Sequence, residues 1–215
     1  MSGGSRGNLP VSPDPFHLPA EADERLRRWL RTVVATPGLT SLKGEDARRV
    51  HLDESLSAVG VVQEFEGPII DVGSGGGAPG IPLAVELPHR EVTLLDANRR
   101  KCDFLDRWAR ELPNVRVVCG RAEDRPVDTW GVAVAKALAP PPVAAEWCLP
   151  LVAPDGAAIL FVGPSPDMGR VARVAEQLGA ELEQSLPGLL VLLKLAPTPP
   201  GFPRRPGMAR KRPLA

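Results

Sequence analysis

Tyrosine is absent from this 215-residue chain, and cysteine occurs only three times, at Cys102, Cys119 and Cys148. Three dispersed cysteines build neither a disulfide framework nor a paired-cysteine metal site, so they read as reduced thiols of a cytoplasmic chain. Net charge is lacking as well, since 26 basic residues face 26 acidic ones. That balance excludes a uniformly basic nucleic-acid coat and a uniformly acidic tail protein, but not a local basic patch. No apolar run approaches the ~18 residues that a membrane-spanning helix needs. The opening Met1-Ser2-Gly3-Gly4-Ser5 has no charged region followed by an apolar one, so no secretory signal is expected.

Proline and glycine are plentiful, at 25 and 21 residues, against a usual combined share of about 12%. They gather at the two ends and at turns, the pattern of a folded centre with loose arms. Residues 1–19 hold no periodic pattern and read as a disordered lead. Residues 20–62 read as a helical extension, with Leu26, Trp29, Leu30, Val33 and Val34 at helical spacing. Pro37-Gly38 stops the first helix, and a second is predicted from about Gly44 to Val59. From 63 to 200 short apolar strands alternate with helices. The strands are Pro68–Val72, Glu91–Leu95, Val115–Cys119, Val132–Ala135 and Ala157–Phe161, followed by a hairpin split by Pro187-Gly188. Such alternation means an α/β fold, with a parallel sheet covered by helices on both faces. The tight final turn implies one antiparallel strand, because parallel neighbours need a long crossover. The sum resembles the seven-strand Rossmann-like arrangement of class I methyltransferases more than a plain dinucleotide fold.

Between the first strand and its helix lies Asp71-Val72-Gly73-Ser74-Gly75-Gly76-Gly77-Ala78-Pro79-Gly80. Glycines let the backbone turn tightly and approach a ligand without a Cβ in the way. The loop falls at the carboxyl end of a strand, where open α/β sheets bind ligands, and Asp96 closes the second strand where an acid bonds a ribose hydroxyl. A dinucleotide and S-adenosylmethionine both remain candidates. Pyrophosphate wants a clear helix N-terminus, whereas Pro79 occupies the turn and the acidic Asp71 precedes it. An acid there suits an amino group and a sulfonium. Asp71 also reads as a carboxylate that merely caps the loop.

Amino-methylating enzymes on adenine or cytosine carry (Asn/Asp)-Pro-Pro-(Tyr/Phe) after the fourth strand. Here Lys136-Ala137-Leu138-Ala139 leads to three prolines, with no amide or acid before them. Cytosine-C5 chemistry needs an activated thiolate, and Cys148 reads as a core thiol. Guanine N7 carries a lone pair and no proton, so its methylation needs orientation and a fitting electrostatic environment rather than a base.

From about Leu26 to Leu214 the chain resembles the RsmG (glucose-inhibited division protein B) family of bacterial small-subunit rRNA guanine-N7 methyltransferases. The likeness rests on Leu39-Thr40-Ser41-Leu42, His51 to Leu56, Asp71 to Pro82, Leu94-Leu95-Asp96 with Lys101 to Leu105, Gly120-Arg121-Ala122-Glu123, and the terminal Pro203-Arg204-Arg205-Pro206-Gly207 followed by Lys211-Arg212-Pro213-Leu214. The resemblance implies S-adenosylmethionine as cofactor, with Gly73, Ala78, Asp96, Ala122, Glu123 and Lys136 around it, and the loop reading adds Asp71 and Gly75. It implies Lys136 and His51 as the candidate catalytic residues, and 16S rRNA or the small ribosomal subunit as the partner of a monomeric enzyme. Lys136 stands where the family usually has arginine, which keeps the charge but loses the bidentate fork. Gly38 replaces an asparagine, Glu54 holds the acid position of the histidine motif, and Val162 replaces a lysine. These departures keep open a non-catalytic binder, and the glycine loop alone would also serve a small-molecule methyltransferase.

The zero charge conceals a division. Residues 58–200 carry 13 basic and 18 acidic residues, whereas 201–215 carry Arg204, Arg205, Arg210, Lys211 and Arg212 and no acid. An acidic body with a basic C-terminal tail makes those five residues the candidate RNA contacts.

Overall fold

The computed structural model describes residues 19–215. Apart from Pro19, the expected lead at 1–19 lies outside them. Helix α1 (Ala20–Ala35) buries Leu26, Trp29 and Val33, the stripe its spacing predicts, and starts with Glu21 and Asp23 in the first turn, where acids favour the helix dipole.

The single helix expected from about 44 to 59 is broken. It comprises α2 (Gly44–Arg48), one π-helical turn (Arg49–Asp53), α3 (Glu54–Leu56) and α4 (Val59–Gln63). In the wide turn the Glu54 N–H reaches back five residues to the Arg49 carbonyl. Two side-chain donors compete for carbonyls here: Ser55 Oγ donates to His51 at 2.8 Å, and Lys136 Nζ donates to Val50. Side chains inserting into a helical ladder widen and bend it, and such turns gather at functional sites. The spacing of apolar residues carries no sign of this break.

The alternating region forms β1 (Ile69–Val72), α5 (Gly80–Glu86), β2 (Val92–Asp96), α6 (Arg99–Ala109), β3 (Val115–Cys119), β4 (Trp130–Lys136), α7 (Pro141–Cys148), β5 (Val152–Phe161), α8 (Met168–Gln177), β6 (Ala180–Leu186) and β7 (Leu189–Lys194). The seven strands lie in the order β3-β2-β1-β4-β5-β7-β6. All pairings are parallel except those of β7, which runs antiparallel to both β5 and β6. The Pro187-Gly188 turn joins β6 and β7 as the sequence predicts, with Gly188 at φ +79°.

Alternation along each strand builds two cores. Ile69, Leu94, Val132 and Val134 meet α1, α5 and α6 on one face. Ile70, Val72, Leu95, Ala133 and Ala135 meet α7 and α8 on the other. The chain leaves β1 toward β2 and β3, then returns to β4 on the opposite side of β1. That reversal opens a crevice beyond the strand ends, where ligands of open α/β sheets bind.

The C-terminus is not the loose arm its composition suggests. Residues 201–215 include a short helix, α9 (Met208–Lys211), and Phe202, Leu214 and Ala215 pack on the second core. Arg204 forks onto the buried Glu146 of α7 at 2.6 and 2.7 Å. Tertiary packing and a buried ion pair overrule the proline-rich composition.

Candidate functional site: two clefts that meet at Ala137

The crevice at the ends of β1, β2 and β4 holds a cleft of about 310 Å³, lined among others by Gly73, Asp96, Ala122, Glu123, Ala137, Leu138 and Trp147. The glycine loop makes room for it. Gly73 has φ +77°, and a Cβ there would stand 2.4 Å from Leu138 Cδ1, so only hydrogen fits. Trp29 of α1 pins the loop from behind, its Nε1 donating to the Gly76 carbonyl at 2.9 Å. One anchor of the site therefore lies in the helical extension.

Asp96 is held by the backbone. Its Oδ2 accepts from Gly75 N–H at 2.9 Å and its Oδ1 from Asn98 N–H at 2.8 Å, with Lys101 Nζ 3.9 Å away. Each carboxylate oxygen keeps a second lone pair, so the group can still accept from a diol. Glu123 Oε1 takes Trp147 Nε1 and Gly207 N–H, both at 3.1 Å. Arg210 lies 5.2 Å over the Trp147 ring and donates to the Leu138 carbonyl. Gly207 and Arg210 thus complete the cleft wall from the C-terminal segment. That wall joins residues more than 60 positions apart in the chain, and their order along it gives no sign of the meeting.

Four residues expected at the cofactor do not line this cleft, one of them Lys136, which lines a neighbouring cleft. Gly75 supports Asp96, Ala78 packs on the core under α1 and α5, and Asp71 is fully buried behind the loop. Asp71 Oδ2 accepts from Gly80 N–H at 3.0 Å, whereas its buried Oδ1 has no partner. Burial pushes its carboxyl up to about 7, with the nearby Ser74 hydroxyl, which donates to the Asp71 backbone carbonyl, and the Gly80 N–H pulling the other way. In this arrangement Asp71 caps the loop.

A second cleft of about 430 Å³ opens on the other side of Ala137, lined among others by Val50, Glu54, Lys136, Phe161, Gly163 and Pro187. Ala137 lines both clefts and holds φ +52°, a left-handed strain that non-glycine residues keep mostly at functional sites. Lys136 Nζ is 2.9 Å from Glu54 Oε2, donates to the Val50 carbonyl of the π turn, and lies 5.8 Å over the Phe161 ring. His51 lines neither cleft. Its Nε2 meets Thr40 Oγ1 at 2.9 Å, and burial, then Lys136, lowers its pKa while Glu54 raises it. Two sequence marks 11 residues apart thereby form one contact.

The two buried thiols offer no nucleophile, since burial pushes Cys102 up to about 12 and raises Cys148 as well, and the exposed Cys119 lines neither cleft. No cluster of metal-ligating side chains occurs among the described residues. Of the five tail cations, Arg204 is committed to Glu146 and Arg210 to Trp147, whereas Arg205, Lys211 and Arg212 are exposed.

The residues fit S-adenosylmethionine: a side-chain-free approach at Gly73, a fixed acceptor pair at Asp96, and the Ala122–Glu123 wall for an adenine. With a seven-strand sheet whose β7 alone is antiparallel, they define a class I S-adenosylmethionine-dependent methyltransferase. Solved structures share this fold. A TehB-like SAM-dependent methyltransferase from Corynebacterium glutamicum is 20% identical with a TM-score of 0.53, covering 82% of this chain and 100% of that one. A SAM-dependent O-methyltransferase from Thermotoga maritima is 15% identical with a TM-score of 0.52, covering 68% and 66%. The rRNA small subunit methyltransferase G family matches residues 24–176. The Ribosomal RNA small subunit methyltransferase G of Carboxydothermus hydrogenoformans is 36% identical over 211 residues, covering 89% of this chain and 90% of its own. That of Alkaliphilus oremlandii is 36% identical over 197 residues and covers 82% of each chain. The chain belongs to this family.

Proposed function

We propose that the protein methylates N7 of a guanine in 16S rRNA, acting as a monomer on the RNA or the small ribosomal subunit in the cytoplasm. The observation that carries this reading is the meeting of the two clefts at Ala137, one built for a nucleoside and the other walled by Lys136, Glu54 and Phe161. Family membership supplies the substrate class. When bound, S-adenosylmethionine supplies a methyl that the N7 lone pair takes as the C–S bond breaks toward sulfur, and no proton leaves.

The chain's own contribution is placement. In this reading Asp96 accepts from the ribose hydroxyls, Gly73 lets the backbone approach, and Ala122 and Glu123 border the adenine. Gly75, Ala78 and Asp71 hold the loop in shape. Lys136 faces the acceptor base, and His51 braces the π turn through Thr40. Arg205, Lys211 and Arg212 meet RNA phosphates, while Arg204 and Arg210 hold the wall. Guanine N7 needs no base, which agrees with the absence, among the described residues, of a cysteine or histidine lining either cleft.

The test is methyl transfer from labelled S-adenosylmethionine to small subunits from cells lacking the protein, followed by mapping of N7-methylguanine in 16S rRNA. One N7-methylguanine that depends on the protein is expected. Stabilisation by adenosylhomocysteine with no transfer to any RNA would overturn the reading in favour of a binding protein.

A further inference from the structure

We infer that the Lys136 cleft is a guanine subsite in which Glu54 reads the N1–H and N2-amino edge of the base. This inference rests on the function proposed above. It names the residue that selects the base, which family membership leaves unassigned.

The argument begins with donors and acceptors. An ionised carboxylate only accepts hydrogen bonds. Guanine is the one standard base that offers two adjacent donors on its Watson–Crick edge, N1–H and the N2 amino group, so a carboxylate in reach of that edge selects it. Glu54 is held for this task. Its Oε2 takes Lys136 Nζ at 2.9 Å and its Oε1 takes Arg49 Nη1 at 3.3 Å. Each oxygen retains a lone pair, and the side chain is partly exposed in the cleft wall. The π turn sets its position, because Glu54 begins the helix that follows the wide turn.

The order of groups matches the order of atoms around the base. From Glu54 the wall passes to Lys136, then to Ala137, then into the cofactor cleft. Around guanine the edge passes from N2 and N1 to O6, then to N7. With N1 and N2 on Glu54, the O6 carbonyl meets the Lys136 ammonium and N7 turns toward Ala137, where the clefts join. Phe161 lines the same cleft, an aromatic side chain of the kind against which enzymes stack an extruded nucleotide. As the N7–methyl bond forms, the purine becomes cationic. A carboxylate at N1–H then stabilises charge where it develops. Glu54 therefore acts on both turnover and selection.

The experiment uses small-subunit RNA in which a single inosine, placed by ligation, replaces the methylated guanosine. Inosine keeps N7, O6 and N1–H and lacks only the N2 amino group. The full-length wild type should lose about 10- to 100-fold in kcat/KM on inosine, the weight of one hydrogen bond to a charged group. In Glu54→Gln the guanosine–inosine gap should shrink to about twofold, and Glu54→Asp should restore much of it. RNA affinity measured with adenosylhomocysteine bound should follow the same pattern, while affinity for adenosylhomocysteine itself stays unchanged. Equal use of guanosine and inosine by the wild type, or a full gap retained in Glu54→Gln, overturns the subsite while leaving the methyltransferase reading intact. Should Glu54→Gln fail to fold, the wild-type comparison and Glu54→Asp still decide. A wild type that methylates no small-subunit guanine overturns the functional reading, and the subsite falls with it.

Discussion

Two acids at the ends of neighbouring strands do different work because their surroundings differ. Asp96 lies at the cleft with both oxygens on backbone N–H groups. In Asp96→Asn one acceptor becomes a donor facing an N–H, so the loop loses its fixed point and a ribose loses its acceptor. Adenosylhomocysteine affinity by calorimetry should fall about 10- to 100-fold, and unchanged affinity would remove Asp96 from the site. Asp71 is sealed in the interior, where burial pushes its carboxyl up to about 7. A buried oxygen without a partner costs less on a neutral carboxyl than on a carboxylate, the same preference that raises the pKa. The unfolded chain releases this proton near the ordinary carboxylate value of about 3.9. Between those values the folded chain binds more protons than the unfolded one. The stability this group contributes is therefore fully present at low pH and is lost as pH rises toward 7. Thermal midpoints of wild type and Asp71→Asn, measured from pH 4 to 8, should converge or cross as the wild type declines. A difference that stays constant across that window would show that Asp71 is ionised throughout. The sequence placed both acids at strand ends but could not separate them, since burial depends on α5, whose Gly80 backbone lies against Asp71.

At the scale of elements, the C-terminal segment works as a strap on α7. Glu146 is 4% exposed and its charge is matched by the Arg204 fork. Removing one partner of a buried pair leaves the other uncompensated, which costs about 3 kcal/mol. Arg204→Ala should lower unfolding stability in urea by about that amount. It should also weaken adenosylhomocysteine binding, because the strap carries Gly207 and Arg210 to the cleft wall. Loss of stability with full cofactor affinity would show that the wall stands without the strap. Helix and strand positions were legible in the chain because apolar periodicity reports burial directly. The strap and the π turn were not. Each depends on a partner far along the sequence, Glu146 for Arg204 and Lys136 for Val50, and periodicity carries no information about such pairs. For the same reason Lys136 stood out in the sequence as a candidate site residue, while Glu54, its partner in the fold, stood out only as a departure from the family motif.

For the whole molecule, the topology was legible to the last hairpin, because strand–helix alternation and one tight turn leave few ways to build a sheet. The distribution of charge was legible as well, but its use was not. Five cations and no acid within 201–215 suggest a tail that meets five phosphates. The fold withdraws two of them, Arg204 into the strap and Arg210 over Trp147. Arg210 is itself exposed but engaged, which leaves Arg205, Lys211 and Arg212 as the exposed cations not committed to the strap, on a segment packed beside the cofactor cleft. Each phosphate neutralised on single-stranded RNA contributes about −0.7 to the slope of log affinity against log salt. Five contacts would give about −3.5, and three give about −2. Replacing Arg205, Lys211 and Arg212 together with glutamine should therefore flatten the measured slope for 16S rRNA by about 2. The thermal midpoint and the affinity for adenosylhomocysteine should hold, since the strap contacts of Arg204 and Arg210 are untouched. A slope that does not change would move the RNA-binding face away from the C-terminus. A slope that flattens together with a fall in cofactor affinity would show that the three side chains serve the strap rather than the RNA. In the proposed function a basic segment packed at the rim of the cleft would both attract RNA and aim it, which a mobile tail of equal charge would not do.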